Sequence, residues 1–173
     1  MPAGSIERTN ARKEEIINAC EKLYQTMSFK DITLKEIGKE TSFSRTSIYN
    51  YFQTKEEIFL ALLKREYDAW IRELCEAMES EETMTDDQIA DGLARTLDNH
   101  RQLLKIMSMN HYDLEENSRM EQLVEFKVSY GNAMKTVMAM LAKFRKDMDI
   151  EKRQEFVYSF FPFMFGIYPY TVV

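Results

Sequence analysis

Proline stands only at positions 2, 162 and 169 of this 173-residue chain, and glycine only at 4, 38, 92, 131 and 166. Stretches of up to 53 residues therefore run without either chain breaker, and they are rich in Glu, Lys, Leu, Met and Ala, the residues that lose least on entering a helix. No window alternates apolar and polar residues with period two, so no sheet is expected and the fold class is all-α. A chain of this length buries enough surface to fold without a staple. Its two cysteines, Cys20 and Cys75, form no disulfide framework and match no metal-ligand spacing, which fits a reducing, cytoplasmic setting. The opening Met-Pro-Ala-Gly-Ser lacks an apolar run and reads as a short loose tail, not a signal peptide.

Periodicity and capping residues place about eight helices. The first runs from about Asn10 to Met27, with Ile16, Cys20, Leu23 and Met27 on one stripe. Thr33 and Glu36 have the spacing of a capping box and open a short helix that carries Ile37 inward. Thr41-Ser42-Phe43 separates it from a second short helix, Arg45 to Tyr51, with Ser44 as its cap and Ile48 and Phe52 on its inner side. Thr54 and Glu57 form another box, starting a long helix to about Glu79. Thr85 or Asp86 caps a helix to about Leu97, and a further one spans roughly Arg101 to Asn110. Ser118 and Glu121 box a helix to near Lys146, and Asp149 caps the last, which runs into an aromatic tail from Phe156.

The whole chain is acidic, with 23 Lys and Arg against 29 Asp and Glu, but the charge is uneven. Residues 1–55 hold nine basic and seven acidic side chains, a balance of +2, while residues 56–173 carry −8. The asymmetry hints at a nucleic-acid-facing head on a body with a different task. The chain divides accordingly into residues 1–55 and 56–173.

Two short helices joined by three residues, the second rich in small polar side chains, meet the demands of a helix-turn-helix. The first helix braces the second, and the second offers hydrogen-bonding groups to base edges in the major groove. The stretch ITLKEIGKETSFSRTSIYNYFQTKEEIF, residues 32–59, has this form. Its most specific part is Ser44-x-x-Ser47-Ile48-Tyr49-x-Tyr51-Phe52-x-x-Lys55-Glu56, with Thr33 and Ile37 at a fixed distance before it. Residues 10–62 resemble the N-terminal domain of the tetracycline-repressor (TetR) family of transcriptional regulators. The resemblance implies a three-helix DNA-binding head and a helical body for ligand binding and dimerisation. Ser28 and Ser42 stand where family members commonly have glycine, so either position would be strained if it required positive φ. Thr46 also occupies a frequent glycine site, which makes the reading surface bulkier.

The resemblance carries DNA contacts onto specific residues. Arg45 can take a guanine bidentately, Lys35 projects toward the same groove, and Thr46, Ser47 and Asn50 offer groups to base edges or phosphate. Thr33, Ser44, Tyr49 and Tyr51 look like phosphate contacts, and Lys55 would hold a phosphate at the start of the long helix. Five of them have a plainer alternative: Thr33 and Ser44 as helix caps, Tyr49 as packing, Lys35 and Lys55 as solvated charges. One helix-turn-helix reads too few bases, so a dimer on a palindromic operator is expected, with its reading helices about 34–36 Å apart or a multiple of that.

For the body, the resemblance implies dimerisation through the last two helices, where Phe156, Phe160, Phe163 and Ile167 line one face. It also implies a cavity for a small apolar inducer, with Trp70, Met107, Tyr112, Phe126, Tyr130 and Met134 as its candidate lining. Core filling is the alternative for these side chains. A ligand there would act by shifting the long helix that begins at Lys55. The resemblance further implies another helix beyond residue 173.

Residues 156–173 form an uncharged run of eighteen, near the lower limit of a membrane span, but two prolines, a glycine and three tyrosines weaken it, and no membrane association is expected. His100 and His111 lie eleven apart without a ligand motif, so neither a metal nor another cofactor is expected. The chain has no nucleophile elbow, phosphate loop or catalytic carboxylate pair, which argues against an enzyme. The function expected is thus a sequence-specific DNA-binding regulator, a dimeric repressor released by a ligand. The alternative is a helical protein-interaction module with a non-functional DNA head.

Overall fold

A computed structural model describes residues 3–109 and 111–172. Among them the chain forms nine α-helices and no strands: α1 (Ala3–Tyr24), α2 (Leu34–Lys39), α3 (Arg45–Ile48), α4 (Lys55–Ser80), α5 (Asp86–Asn99), α6 (Arg101–Met107), α7 (His111–Glu116), α8 (Met120–Phe144) and α9 (Ile150–Thr171). The all-α class and the order of the expected helices agree with the sequence. Three details differ. Helix α1 begins at Ala3, so Ala3, Gly4 and Ser5 belong to it and not to a loose tail. The α3 helix is one turn, with Tyr49–Tyr51 continuing as hydrogen-bonded turn. Helix α7 was not anticipated; the expected end of α6 at Asn110 lies outside the described residues.

The chain divides into two compact units, Met1–Leu62 with Tyr112–Leu123, and Leu63–His111 with Val124–Val173. The first unit is a helical head whose core consists of Ile16, Ile17, Cys20 and Tyr24 from α1, Ile37, Ile48 and Phe52 from the α2–α3 region, and Ile58 and Phe59 from α4. Tyr24 and Phe29 both meet the Phe59 ring edge-on, with centroids 5.0 and 4.9 Å away. The second unit buries Trp70 and Tyr67 of α4 with Phe126 of α8 and Phe161 of α9. Trp70 donates its indole N–H to Thr96 at 2.9 Å, and Thr96 donates in turn to the Leu93 carbonyl, so this buried polar pair is satisfied.

The caps show which local signals survive folding. Thr85, one of the two expected caps of α5, forms a reciprocal capping box with Gln88, and Asp149 caps α9 as expected, accepting from the Lys152 amide. Thr33 accepts from the Glu36 amide, but the Glu36 carboxylate turns to Lys39. Ser118 does not cap α8; its hydroxyl donates to the Leu114 carbonyl. No described non-glycine residue has positive φ, so Ser28 and Ser42 carry no backbone strain. Helix α9 runs unbroken through Pro162 and Pro169, both on its exposed side. No helix of the described residues is long and apolar enough to cross a membrane.

Candidate nucleic-acid interface

Helices α2 and α3 owe their tight packing to Gly38. A Cβ there would lie 3.3 Å from the Arg45 Cα and 3.4 Å from its Cβ, closer than side chains ordinarily approach. The turn between them is held from α1. The Glu15 carboxylate accepts the Ser42 amide, and Arg12 lies over the Phe43 ring, 4.7 Å from its centroid. The bonds from the Ser42 amide and then its side chain keep the Glu15 carboxyl below its ordinary value. Helix α3 and the residues that flank it, 44–52, present two faces. Ile48 and Phe52 are buried, while Ser44, Arg45, Thr46, Tyr49 and Asn50 are exposed, with Ser47 half-buried.

Arg45 donates to the Tyr49 hydroxyl at 3.3 Å, which holds the guanidinium along the exposed face. The Ser44 hydroxyl makes no bond to a first-turn amide and lies 3.1 Å from that of Ser47, leaving both near the start of α3 with acceptor capacity. Thr33 and Lys35 are exposed on the preceding segment, Thr33 with its cap bond made. Tyr51 is half-buried, its ring 6.4 Å from Phe43.

Lys55 differs from expectation. Its ammonium donates to the Phe29 carbonyl at 2.7 Å and the Ile32 carbonyl at 3.0 Å, and sits 4.2 Å from the Phe29 ring centroid. Two of its three donors are thus spent on the loop between α1 and α2, because that loop ends with carbonyls facing the start of α4. The side chain is a clamp within the head. Lys55→Met is expected to lower thermal stability by about 1–3 kcal/mol while leaving the salt dependence of DNA binding unchanged. A salt slope reduced by about one would instead mark a phosphate contact.

The sequence reading did not find Glu57, which is fully buried at 0% exposure. Its carboxylate accepts the Gln53 amide (2.8 Å), the Arg119 amide (3.0 Å), Arg119 Nε (2.7 Å) and Arg119 Nη2 (2.9 Å). Burial pushes this carboxyl up, but the bonds from Arg119 and from the two amides outweigh it, and the group stays below its ordinary value. Thr54 ties the same segment by donating to the Asn117 carbonyl at 2.8 Å. The spacing of Thr54 and Glu57 marked Glu57 as a helix-start residue, and Thr54 does accept the Glu57 amide. Nothing local pointed to a partner 62 residues away.

In the second unit Trp70, Met107 and Phe126 are buried, and Tyr130 and Met134 are half-buried. Tyr67, Phe126, Tyr130, Phe161 and Phe165 form one aromatic cluster, with neighbouring centroids 5.6–6.4 Å apart. Tyr112 does not join it. It belongs to the first unit and is 67% exposed, because Leu114 takes the inward position of α7. The Tyr67 hydroxyl is buried without a hydrogen-bond partner. Burial first, and then the neighbouring Tyr130, push this phenol well above its usual 10.0, so it remains a neutral donor. A separate recess of about 630 Å³ is lined by Ile89, Leu93, Leu141 and Phe156 beneath Arg145 and Asp147. Its rim is closed on itself: Arg145 bonds Asp86 and Asp147 and brings the Asp147 carboxyl down to about 2. It holds none of the expected lining residues. His100 lies between Glu73 (2.9 Å) and Glu66 (3.6 Å), and no group of three or more His, Cys, Asp or Glu side chains among the described residues is arranged to hold a metal ion.

Of the expected dimer residues, Phe163 is 58% exposed, whereas Phe156, Phe160 and Ile167 are half-buried and Phe156 stacks on Phe160 at 5.4 Å. The inward stripe of α9 is Val157, Phe161 and Met164. At about 100° per residue, the expected set lies about a quarter turn from that stripe, and the exposed aromatic residues of α9 are Tyr158, Phe163 and Tyr170. Val124 and Val128 are likewise exposed on α8.

The family models agree with the geometry over nearly the full chain. Residues 16–62 match the model of bacterial regulatory proteins of the tetR family, and residues 64–173 match a tetracyclin repressor-like C-terminal domain. The HTH-type transcriptional regulator YfiR of Bacillus subtilis is 26% identical over 102 residues, covering 56% of this chain and 50% of its own, so the chain spans half the length of that relative. The HTH-type transcriptional regulator YdgC of the same organism is 24% identical over 147 residues, covering 85% of this chain and 69% of its own. Two solved structures share the fold. The fatty acid degradation regulator FadR of Bacillus halodurans has a TM-score of 0.54 at 16% identity, over 90% of this chain and 83% of its own. The TetR family repressor AlkX of Dietzia sp. strain DQ12-45-1b has a TM-score of 0.53 at 12% identity, over 90% and 82%. With both of its parts matched, the chain belongs to the tetracycline-repressor (TetR) family of DNA-binding transcriptional regulators, which are not enzymes.

Proposed function

We propose that this chain is a cytoplasmic, homodimeric repressor that holds a palindromic operator and is released by a small apolar ligand bound in its second unit. The observation that carries the reading is the division of α3, with Ile48 and Phe52 buried and Arg45, Thr46, Tyr49 and Asn50 exposed. A guanidinium, an amide and a threonine on one exposed face are the groups that discriminate base edges. A degenerate head serving a protein-interaction module would not need to keep them together.

Selection of duplexes from random sequence by the purified protein tests this. An inverted repeat is expected to emerge, with half-sites about 10–10.5 base pairs apart or a multiple of that. Binding should exceed that to scrambled duplex by about 10³ or more and weaken with salt. Arg45→Ala is expected to cost about 1–3 kcal/mol and relax one base position in each half-site. Equal, weak binding to all duplexes would favour the interaction module.

The ligand reading rests on the Tyr67 hydroxyl. A buried donor without a partner costs about 1–3 kcal/mol, and a ligand that brings an acceptor into the aromatic cluster recovers it. The proposed ligand is thus an apolar molecule that carries a hydrogen-bond acceptor, such as a chain alcohol, acid or ester. Trp70, the only tryptophan and buried in the same unit, reports binding by fluorescence. Tyr67→Phe is expected to leave stability unchanged or slightly raised and to weaken such ligands about tenfold. A ligand that binds but leaves operator affinity untouched would refute its role as inducer.

A further inference from the structure

We infer that Arg119 is a positioning residue of the DNA-reading head, holding the C-terminal end of the recognition helix through the Tyr51 carbonyl. The inference rests on the DNA-binding reading of α3. Helix α3 is four residues long, far below the length at which a helix sustains itself, so its presentation depends on what grips its two ends. Gly38 and the Ser42 turn settle the first end. At the second end the amides of Tyr51 and Phe52 both return to the Ile48 carbonyl, at 2.8 and 2.9 Å. The chain then turns toward α4 with its carbonyls pointing on. Arg119 Nη2 donates to the Tyr51 carbonyl at 3.1 Å.

The grip is firm because the guanidinium is itself fixed. Nε and Nη2 engage the two oxygens of Glu57 at 2.7 and 2.9 Å, and the remaining Nη2 hydrogen is left directed at Tyr51. Glu57 is in turn held by the Gln53 and Arg119 amides, one residue beyond Phe52 and one before α8. A cation at a helix C-terminus also complements the backbone dipole there. Lysine cannot reproduce the arrangement, since its ammonium offers no planar fork to engage a carboxylate and a carbonyl in this geometry. Arg119 lies outside residues 16–62, the part matched as the tetR-family DNA-binding segment, yet it belongs to the same compact unit. The bonds of its guanidinium run to Glu57 and to the Tyr51 carbonyl, so the proposed action is through Tyr51.

The test compares wild type with Arg119→Lys, Arg119→Met and Glu57→Gln on a duplex selected from random sequence by the wild-type protein, across a salt series. Amide hydrogen exchange of residues 45–53 is followed in the same proteins without DNA. Both arginine variants are expected to bind about 10- to 100-fold more weakly, the size of one lost charge-assisted hydrogen bond, with the salt slope unchanged. Exchange at Tyr51, Phe52 and Gln53 should quicken more than in α1 or α4. Glu57→Gln, which keeps the shape but weakens the fork, should fall between. Wild-type affinity in Arg119→Met would overturn the inference, as would a salt slope lowered by about one, which assigns Arg119 to phosphate. Uniformly faster exchange across the head would also overturn it, leaving Arg119 a general stabiliser. Should the wild type select no sequence, the DNA reading fails by itself, and the exchange pattern still decides whether Arg119 holds the end of α3.

Discussion

Replacing Glu57 by alanine is expected to destabilise the head by about 2–4 kcal/mol, a large loss for a single side chain. The carboxylate is wholly buried, and its removal orphans the Gln53 and Arg119 amides together with two guanidinium donors. The Arg119 side chain is 38% exposed, so water can recover part of its solvation, and the cost falls below that of a fully buried broken pair. Differential scanning calorimetry of the variant beside wild type measures the effect. A loss under about 0.5 kcal/mol, the range of ordinary surface changes, would show that the network contributes nothing net.

The same network fixes the sign of a pH effect. The folded Glu57 carboxyl lies below its ordinary 4.5, so its ionised form is favoured by folding. Its contribution is therefore complete above about 4.5 and is lost as pH falls from there through the lowered folded value. Wild type should lose head stability with acid over that window, and Glu57→Gln should lose less. An identical acid profile in both proteins would place the titration on other carboxylates.

What was legible in the sequence was whatever is decided within a few residues. The absence of breakers fixes the helical class, and the spacing of Ile48 and Phe52 fixes which side of α3 turns inward. Thr85, one of two candidate caps, and Asp149 cap their helices through an amide three residues on, a choice made locally. The failures have one physical source, a choice made by partners distant along the chain. Glu57 serves a local box in sequence but spends its carboxylate on Arg119, 62 residues on. Lys55 looks like a free cation until two loop carbonyls are folded against it. Ser118 fails to cap α8, whose leading amide at Arg119 is taken by Glu57 instead. Helix α9 is a different case: from Phe156 onward it carries no charge, so no polar stripe marks its outward side, and the sequence alone does not separate the Val157, Phe161 and Met164 stripe from the aromatic residues beside it.

That distinction leads to the second large effect. If subunits pair through the outward side of α9, Phe163→Glu is expected to abolish the dimer at micromolar concentration. Phe163 is 58% exposed, so the charge is solvated in an isolated subunit and folding stability should change by less than about 0.5 kcal/mol. In a dimer the same carboxylate would be buried against apolar surface, at a cost of several kcal/mol. Operator affinity should fall by about 10²–10⁴, the avidity lost with the second half-site. Phe156→Glu provides the contrast, since Phe156 is half-buried against Phe160 and its replacement should damage the fold of the second unit itself. Analytical ultracentrifugation with circular dichroism separates the two outcomes. A folded Phe163→Glu protein that still sediments as a dimer would move the interface away from Tyr158, Phe163 and Tyr170, leaving the Val124–Val128 side of α8 as the next exposed apolar surface to probe.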